Sequence, residues 1–309
     1  MIRDIPHFEW LKNNCDINLG GSGIEPMDYQ ELEEVKTPLY EFLKIEGDEI
    51  VVTHGAQEGL FLSFLAVFDK GSKVFVPVPE YDPIVAQLEL VGANIIRGKG
   101  DNPENLSYNI ALSSPNNPLG YSVESLEELS ENCSKLNCFV VVDETFAPFV
   151  GEYKPFPLKN VIRIGSTTKI CNFKDRKAGW VIAEPEIIKR IEKVQELIAP
   201  PPIGFVEVIA STFFTNIEKV KRRAFEIVEN NERIMRKYGI NLIHTEHLPY
   251  AYVMADSDVP YKLKERGVLV LPGTVFGLND GFRISLGIKD TSYVEKGVKI
   301  IADVLKREN

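Results

Sequence analysis

From residue 50 to residue 198 the chain repeats one unit: a short run rich in β-branched residues, a turn, and in most cases a longer run with helical spacing. Seven β-rich runs stand out, at residues 50–53, 73–78, 94–97, 109–112, 139–142, 161–165 and 180–183. Helical runs at 56–68, 83–91, 123–136 and 186–198 lie among them. This alternation predicts an α/β fold with a seven-stranded, doubly wound, mostly parallel sheet flanked by helices. Ligands of such sheets collect at the carboxyl ends of the strands, so the loops that follow these runs should carry any site.

Ala199, Pro200, Pro201 and Pro202 interrupt the rhythm. Beyond them, helices at 205–214 and 217–238, strands near 241–243 and 250–254, and a last helix at 293–306 suggest a smaller α+β domain. Residues 1–37 read as irregular. No internal repeat or low-complexity segment is evident. With 309 residues the chain can form a large α/β domain and a smaller one, or one extended domain. Its net charge of −10, with no stretch dense in Lys, Arg and aromatics, argues against nucleic acid or an anionic membrane as partner. No apolar run approaches the roughly 20 residues of a membrane span, and the first ten residues lack a signal peptide's apolar core, so a cytoplasmic protein is expected. Cys15, Cys133, Cys138 and Cys171 lack metal-ligand spacing and read as buried or idle thiols.

Five strand-end loops carry residues suited to chemistry. Run 161–165 ends in glycine, and Ser166, Thr167 and Thr168 follow, which presents Lys169 beside three hydroxyls. A lysine there can form an imine, and the hydroxyls with Arg176 and Lys177 would make a pocket for a dianionic phosphate. Gly55 opens a helix whose first residues, Ala56 and Gln57, offer free N–H groups to an anion. His54, just before it, reads as a turn residue. Tyr81, at a strand-to-helix corner, can stack on a flat ring. Asp143 follows a fully apolar strand, is therefore desolvated, and stays ionised only beside a cation. Near the C-terminus Arg283 lies in an apolar strand, an expensive burial unless it meets an anion. Gly21, Ser22 and Gly23 do not make a dinucleotide loop, because no hydrophobic strand precedes them and Pro26 follows.

Serine three before Lys169, a cation eight after it and glycine ten after it resemble the Schiff-base segment of the fold-type-I pyridoxal-phosphate enzymes, the aspartate aminotransferase family. Other segments agree in order and spacing. Gly55, Ala56 and Gln57 resemble the family's phosphate-binding turn, and Tyr81 its ring-stacking position. Ser113–Gly120 resembles the "NP-x-NP-TG" loop, with Asn117 as donor to the cofactor's ring oxygen, although Ser114 and Leu119 replace an asparagine and a threonine. Asp143 matches the pyridinium partner that keeps the ring an electron sink. The segment from Gly267 to Gly277 with Arg283 resembles the "G-V-x-v-x-P-G-x-x-F-G … R-[IL]-S" tail, which would put Arg283 on the substrate carboxylate. Ile17–Pro26 resembles the "LG-x-G-x-P" segment whose backbone lines that carboxylate pocket, here through Gly21; a plain glycine turn fits the residues equally well.

Three departures matter. Phe146 stands where most aminotransferases have a tyrosine that donates to the ring oxygen, so the imine should hold its proton to higher pH. Lys177 replaces an arginine, and Arg176 beside it is an alternative phosphate ligand. The stretch between the N-terminal glycines and Gly55 is shorter than in relatives, and Tyr29 and Tyr40 both remain candidates for a tyrosine that reaches the neighbouring subunit's phosphate.

The resemblance implies the pyridoxal-phosphate transferase fold, with a large cofactor-binding domain at 38–205, a small domain from 1–37 plus 206–309, and a homodimer. It implies pyridoxal 5′-phosphate as cofactor, no metal, and amino-group transfer from an amino acid to a 2-oxo acid through a Lys169 Schiff base. Lys169 would act as general base and acid, with Asp143 its partner in catalysis. Asn117 would serve both cofactor and substrate, and Ser166 and Lys177 the phosphate. An amino-acid decarboxylase or β-eliminating lyase of the same fold is the alternative, favoured by Phe146. A non-catalytic cofactor-binding module would normally carry a basic DNA-binding extension, and none precedes residue 17.

Overall fold

A computed structural model describes residues 3–99, 108–173, 176–198 and 204–306. The N-terminal part, expected to be irregular, contains α1 (Pro6–Leu11), β1 (Ile17–Asn18) and α2 (Leu39–Leu43). Pro6 begins α1 at a position where no N–H is needed, and the Trp10 indole N–H donates to Val270 O at 2.7 Å. These elements are short, so tertiary contacts hold them rather than helical periodicity.

The central layer is a seven-stranded sheet. In chain order its elements are β2 (Ile50–Thr53), α3 (Ala56–Val67), β3 (Lys73–Val78), α4 (Asp82–Val91), β4 (Asn94–Lys99), β5 (Asn109–Ser113), α5 (Leu126–Leu136), β6 (Val140–Asp143), β7 (Val161–Ser166), β8 (Gly179–Ile182) and α6 (Pro185–Ile198). The strand order is β2-β8-β7-β6-β5-β3-β4, with β8 antiparallel to both neighbours and the other pairs parallel. Strands β6, β7 and β8 are buried at every position, which explains their continuous apolar sequences. On one face Leu60 and Phe64 of α3 pack with Ile188 and Ile191 of α6 over Val76, Ile164 and Val181. All seven predicted runs are strands, with ends displaced by one or two residues at most.

The rest of the chain forms α7 (Phe205–Thr215), α8 (Ile217–Lys237), β9 (Tyr250–Val253), α9 (Val259–Glu265), β10 (Val268–Leu269), β11 (Leu271–Pro272), β12 (Phe282–Ser285) and α10 (Thr291–Lys306). Strands β11, β12 and β9 make a three-stranded antiparallel sheet. Strand β1 pairs in parallel with β10, so both ends of the chain share one core, in which Ile17 and Leu19 meet Val298 and Ile301. The expected strand at 241–243 is only a bridge from Ile243 to Tyr252. Residues 199–202 lie outside the described residues.

The reading of Cys133 and Cys138 as thiols is corrected: the two form a disulfide. Asn137 takes a left-handed conformation at the end of α5 (φ 54°), and this turn folds Cys138 back until the two Cα atoms are 4.6 Å apart. Cys15 and Cys171 stay free.

Gly165 on β7 faces Trp180 on β8, and the indole lies across the space a side chain would fill. A Cβ at residue 165 would fall 2.3 Å from the indole nitrogen of a Trp that is fully buried. Gly165→Ala should therefore lower stability by roughly 1–3 kcal/mol. Chemical denaturation measures this, and a wild-type midpoint would contradict the packing described.

Candidate active site

The carboxyl ends of β2, β3, β5, β6 and β7 converge on one cavity of about 270 Å³. Lys169 lies three residues past the end of β7 and lines it. Its backbone is fixed from the N-terminal glycine segment, since Ile24 N donates to Lys169 O at 2.8 Å and a Cβ on Gly23 would come within 3.5 Å of both Cα and Cδ of the lysine. Burial lowers the Lys169 pKa to about 8, with Arg283 and Lys177 acting in the same direction and Asp143 opposing them. Near physiological pH the amine is still mostly protonated, but its neutral fraction, roughly a fifth, is far larger than an ordinary lysine's.

At one end of the cavity Gly55 caps the N-terminus of α3 with φ 103°, where few side chains can follow. A Cβ there would sit 3.7 Å from Thr168 Oγ1, 3.8 Å from Ser166 Oγ and 4.0 Å from Lys177 Cβ. Gly55, Ala56, Ser166, Thr168 and Lys177 therefore surround one hollow at a helix N-terminus, with the geometry of an anion cradle. The hydroxyls of Ser166 and Thr168 lie 2.7 Å apart. Thr167 is turned away, its hydroxyl donating to Ala178 O. Of the two adjacent cations only Lys177 lines the cavity; Arg176 stacks over the Tyr29 ring at 4.5 Å. The Gln57 side chain is engaged elsewhere: it donates to the Tyr81 hydroxyl at 3.1 Å and accepts from Gln87 at 2.7 Å. That leaves its backbone at the helix end for an anion. The Tyr29 hydroxyl donates to Thr212 Oγ1.

At the other end Asp143 accepts from Thr145 N at 3.0 Å and from Thr145 Oγ1 at 2.5 Å, both at Oδ1. Burial raises its pKa, against the Thr145 bonds and Lys169. A cation placed beside it would reverse that shift. Tyr81 lines the wall ahead of α4, and Phe146 lies edge-on to Tyr250 at 4.8 Å. The Tyr250 hydroxyl is directed to Asn116 O at 2.7 Å, so it does not replace the hydroxyl that Phe146 lacks. Asn117 presents its amide to the cavity while its Oδ1 accepts from Arg283 Nη1 at 2.7 Å.

Arg283 lies in the middle of β12, 1% exposed. Its Nη2 donates to Gly20 O at 2.8 Å, its Nε is buried without a partner, and no carboxylate pairs with it among the described residues. Burial lowers its pKa to about 10, which leaves it charged. An enclosed guanidinium with neutral partners and an unused N–H has the chemistry to receive an anion. Gly21 does not line the cavity; the nearest atom to a Cβ there would be Ser285 Oγ at 4.0 Å, and it is Gly20 and Gly23 that touch Arg283 and Lys169.

Other residues were not singled out by sequence reasoning. Phe8 of α1 lines the cavity from far away in sequence, and nothing local marks it. Thr145, two residues after Asp143, lay in a segment already recognised. Glu80 is fully buried behind the wall, accepting from Tyr81 N at 2.7 Å, Ser113 N at 2.8 Å and Ser113 Oγ at 2.5 Å. Burial raises its pKa to about 8, against these bonds. A carboxylate between two prolines after an apolar strand was its available signal. His54 lies at the mouth, its ring paired with Glu58 at 2.9 Å.

Pyridoxal 5′-phosphate fits these residues. The hollow that a Gly55 side chain would fill suits its phosphate, the buried Asp143 its pyridine nitrogen, and the Lys169 amine, with its lowered pKa, its carbonyl carbon. Residues 6–301 match the family model described as aminotransferase class I and II. The chain is 21% identical to an aspartate aminotransferase of Sulfolobus acidocaldarius, over 98% of this chain and 88% of that protein. It is 24% identical to a histidinol-phosphate aminotransferase of Chlorobium phaeobacteroides, over 81% and 75% respectively. Among solved structures, an aspartate aminotransferase from Thermus thermophilus with maleate superposes with a TM-score of 0.81 at 18% identity, covering 98% of this chain and 97% of that one.

Because only the neutral amine attacks a carbonyl, the rate at which cofactor-free protein captures pyridoxal phosphate should rise with pH to half its maximum near 8. Stopped-flow absorbance measures it. A midpoint near 10.5, the value of an ordinary lysine, would contradict the environment assigned to Lys169.

Proposed function

The chain belongs to the class I and II aminotransferase family and is a pyridoxal 5′-phosphate-dependent aminotransferase, and on that premise we propose how its residues divide the work. When bound, the cofactor supplies an aldehyde that condenses with amines and a ring that withdraws electrons. Gly55, Ala56, Gln57, Ser166 and Lys177 hold the phosphate, the first three through backbone at the start of α3. Asp143 holds the pyridine nitrogen, Asn117 the ring oxygen, and Tyr81 and Phe146 bound the ring. Lys169 would hold the cofactor's aldehyde and, once freed by a substrate amine, would carry the proton removed from the substrate's Cα. Asn117, in the cavity wall, and Arg283, which bonds to Asn117 but does not itself line the cavity, take the α-carboxylate.

The observation that carries this reading is the pairing of two buried cations with different tasks. Lys169 has its pKa lowered and is free to act as a base, whereas Arg283 keeps its charge and lacks an anionic partner. Substrates are an amino acid and a 2-oxo acid. Aspartate and histidinol phosphate, after which two of the relatives are named, are the first donors to try; the former would offer Arg283 a carboxylate and the latter a phosphate.

The proposal includes a large cofactor-binding domain at 38–205 and a small domain from 1–37 plus 206–309; the separate three-stranded sheet of β9, β11 and β12 supports this division. It also includes a cytoplasmic homodimer. Exposed Leu197, Ile198 and Phe205 support an apolar contact face. No helix among the described residues is long and apolar enough to cross a membrane.

Purified protein loaded with pyridoxal phosphate, given single amino acids and 2-oxoglutarate, should yield glutamate with one donor class and no CO₂. Released CO₂, or pyruvate without an acceptor, would favour decarboxylation or elimination instead. Arg283→Gln should raise KM for the donor by roughly 10- to 100-fold, the loss of one or two charge-assisted hydrogen bonds. An unchanged KM would remove Arg283 from the site.

A further inference from the structure

Helix α1 is fastened over the cavity. Arg3, just ahead of it, donates to both carboxylate oxygens of Asp82 at 3.0 and 3.1 Å and to Glu89 at 2.5 Å, tying the segment to α4. Phe8 lines the cavity, while the preceding His7 is buried, 4% exposed, and is not itself part of the cavity wall. The imidazole stands edge-on to Tyr81, with ring centres 5.1 Å apart, and to Phe276 at 5.6 Å. Its Nδ1 is buried without a hydrogen-bond partner. A buried imidazole nitrogen left unpaired requires an explanation.

A second unpaired nitrogen lies nearby. Arg283 Nε is also buried without a partner, and the guanidinium carbon is 5.2 Å from the centre of the same Phe276 ring that His7 touches. Burial lowers the imidazole pKa to about 2, and Arg283 and then Lys169 contribute in the same direction. His7 is therefore a neutral group that can donate a hydrogen bond without adding a third positive charge beside Lys169. Both side chains touch Phe276, and a carboxylate, with two acceptor oxygens on one carbon, is the substrate group whose chemistry matches two such donors.

We propose that His7, through Nδ1–H, is a second donor to the substrate α-carboxylate held by Arg283, so that α1 is part of the substrate site. This rests on the aminotransferase reading, in which Arg283 receives that carboxylate. His7→Phe tests it, because a phenyl ring keeps the contacts to Tyr81 and Phe276 and removes the nitrogen. Protein loaded with pyridoxamine phosphate is titrated calorimetrically with 3-phenylpropanoate and glutarate, and with 3-phenylpropan-1-ol and pentane-1,5-diol, which share their skeletons but carry no carboxylate. For whichever acid wild type binds more tightly, the affinity should fall about tenfold in His7→Phe, the loss of one hydrogen bond to a charged group, with the matching alcohol unaffected. His7→Asn, which keeps a donor close to the Nδ1 position, should retain more of the preference for acid over alcohol than His7→Leu; this pair decides the question if His7→Phe does not fold. Equal weakening of acid and alcohol, or no change in either, would make His7 a packing residue only and overturn the proposal. If wild type itself binds the acid no better than the alcohol, Arg283 is not a carboxylate receptor, and the reading on which the proposal rests fails first.

Discussion

A guanidinium enclosed without a carboxylate is the constraint that the arrangement of this protein answers to. Arg283 sits in the central strand of the small sheet and reaches Asn117 on the loop after β5 and Gly20 on the N-terminal segment. One side chain thereby links three regions distant in sequence. Neutral oxygens alone do not repay the several kcal/mol of taking such a cation out of water. The protein carries that unfavourable burial where an anionic substrate can offset it, which is the usual relation between local strain and function.

The same electrostatics connect the binding step to the chemical one. Arg283 is one cause of the lowered pKa of Lys169, second only to burial. A carboxylate at Arg283 would cancel part of that repulsion, making Lys169 a better proton acceptor when substrate is present. Asp143 acts from the opposite side, and Glu80 adds a second buried acid one layer back, bonded to the backbone of Tyr81 and to Ser113, whose hydroxyl in turn accepts from Asn117 N. Rigid strands carry these groups, so their spacing is set by the sheet.

The large sheet was legible because its signal is local. Strands β6, β7 and β8 are buried on both faces, and that forces the unbroken apolar sequences that mark them. The strand-end residues Lys169, Asp143 and Gly55 were legible for the same reason: a charge or a glycine stands out after an apolar run. What could not be read depends on contacts between distant segments. Phe8 and His7 belong to a single-turn helix whose place over the cavity comes from Arg3 meeting Asp82 and Glu89. The stacking of Arg176 on Tyr29, which leaves the hollow to Lys177, is likewise tertiary. The disulfide of Cys133 and Cys138 depends on one left-handed residue, Asn137, that spacing alone does not reveal. Gly21 shows the limit in the other direction: its segment was singled out, but the contacts to Arg283 and Lys169 come from Gly20 and Gly23.

The most direct test of the central claim is chemical. Purified protein incubated with pyridoxal 5′-phosphate, reduced with borohydride and digested should yield one peptide carrying the cofactor's mass, with the label on Lys169. A label on Lys177 or another lysine, or no label at all, would contradict the assignment of Lys169 and the mechanism built around it.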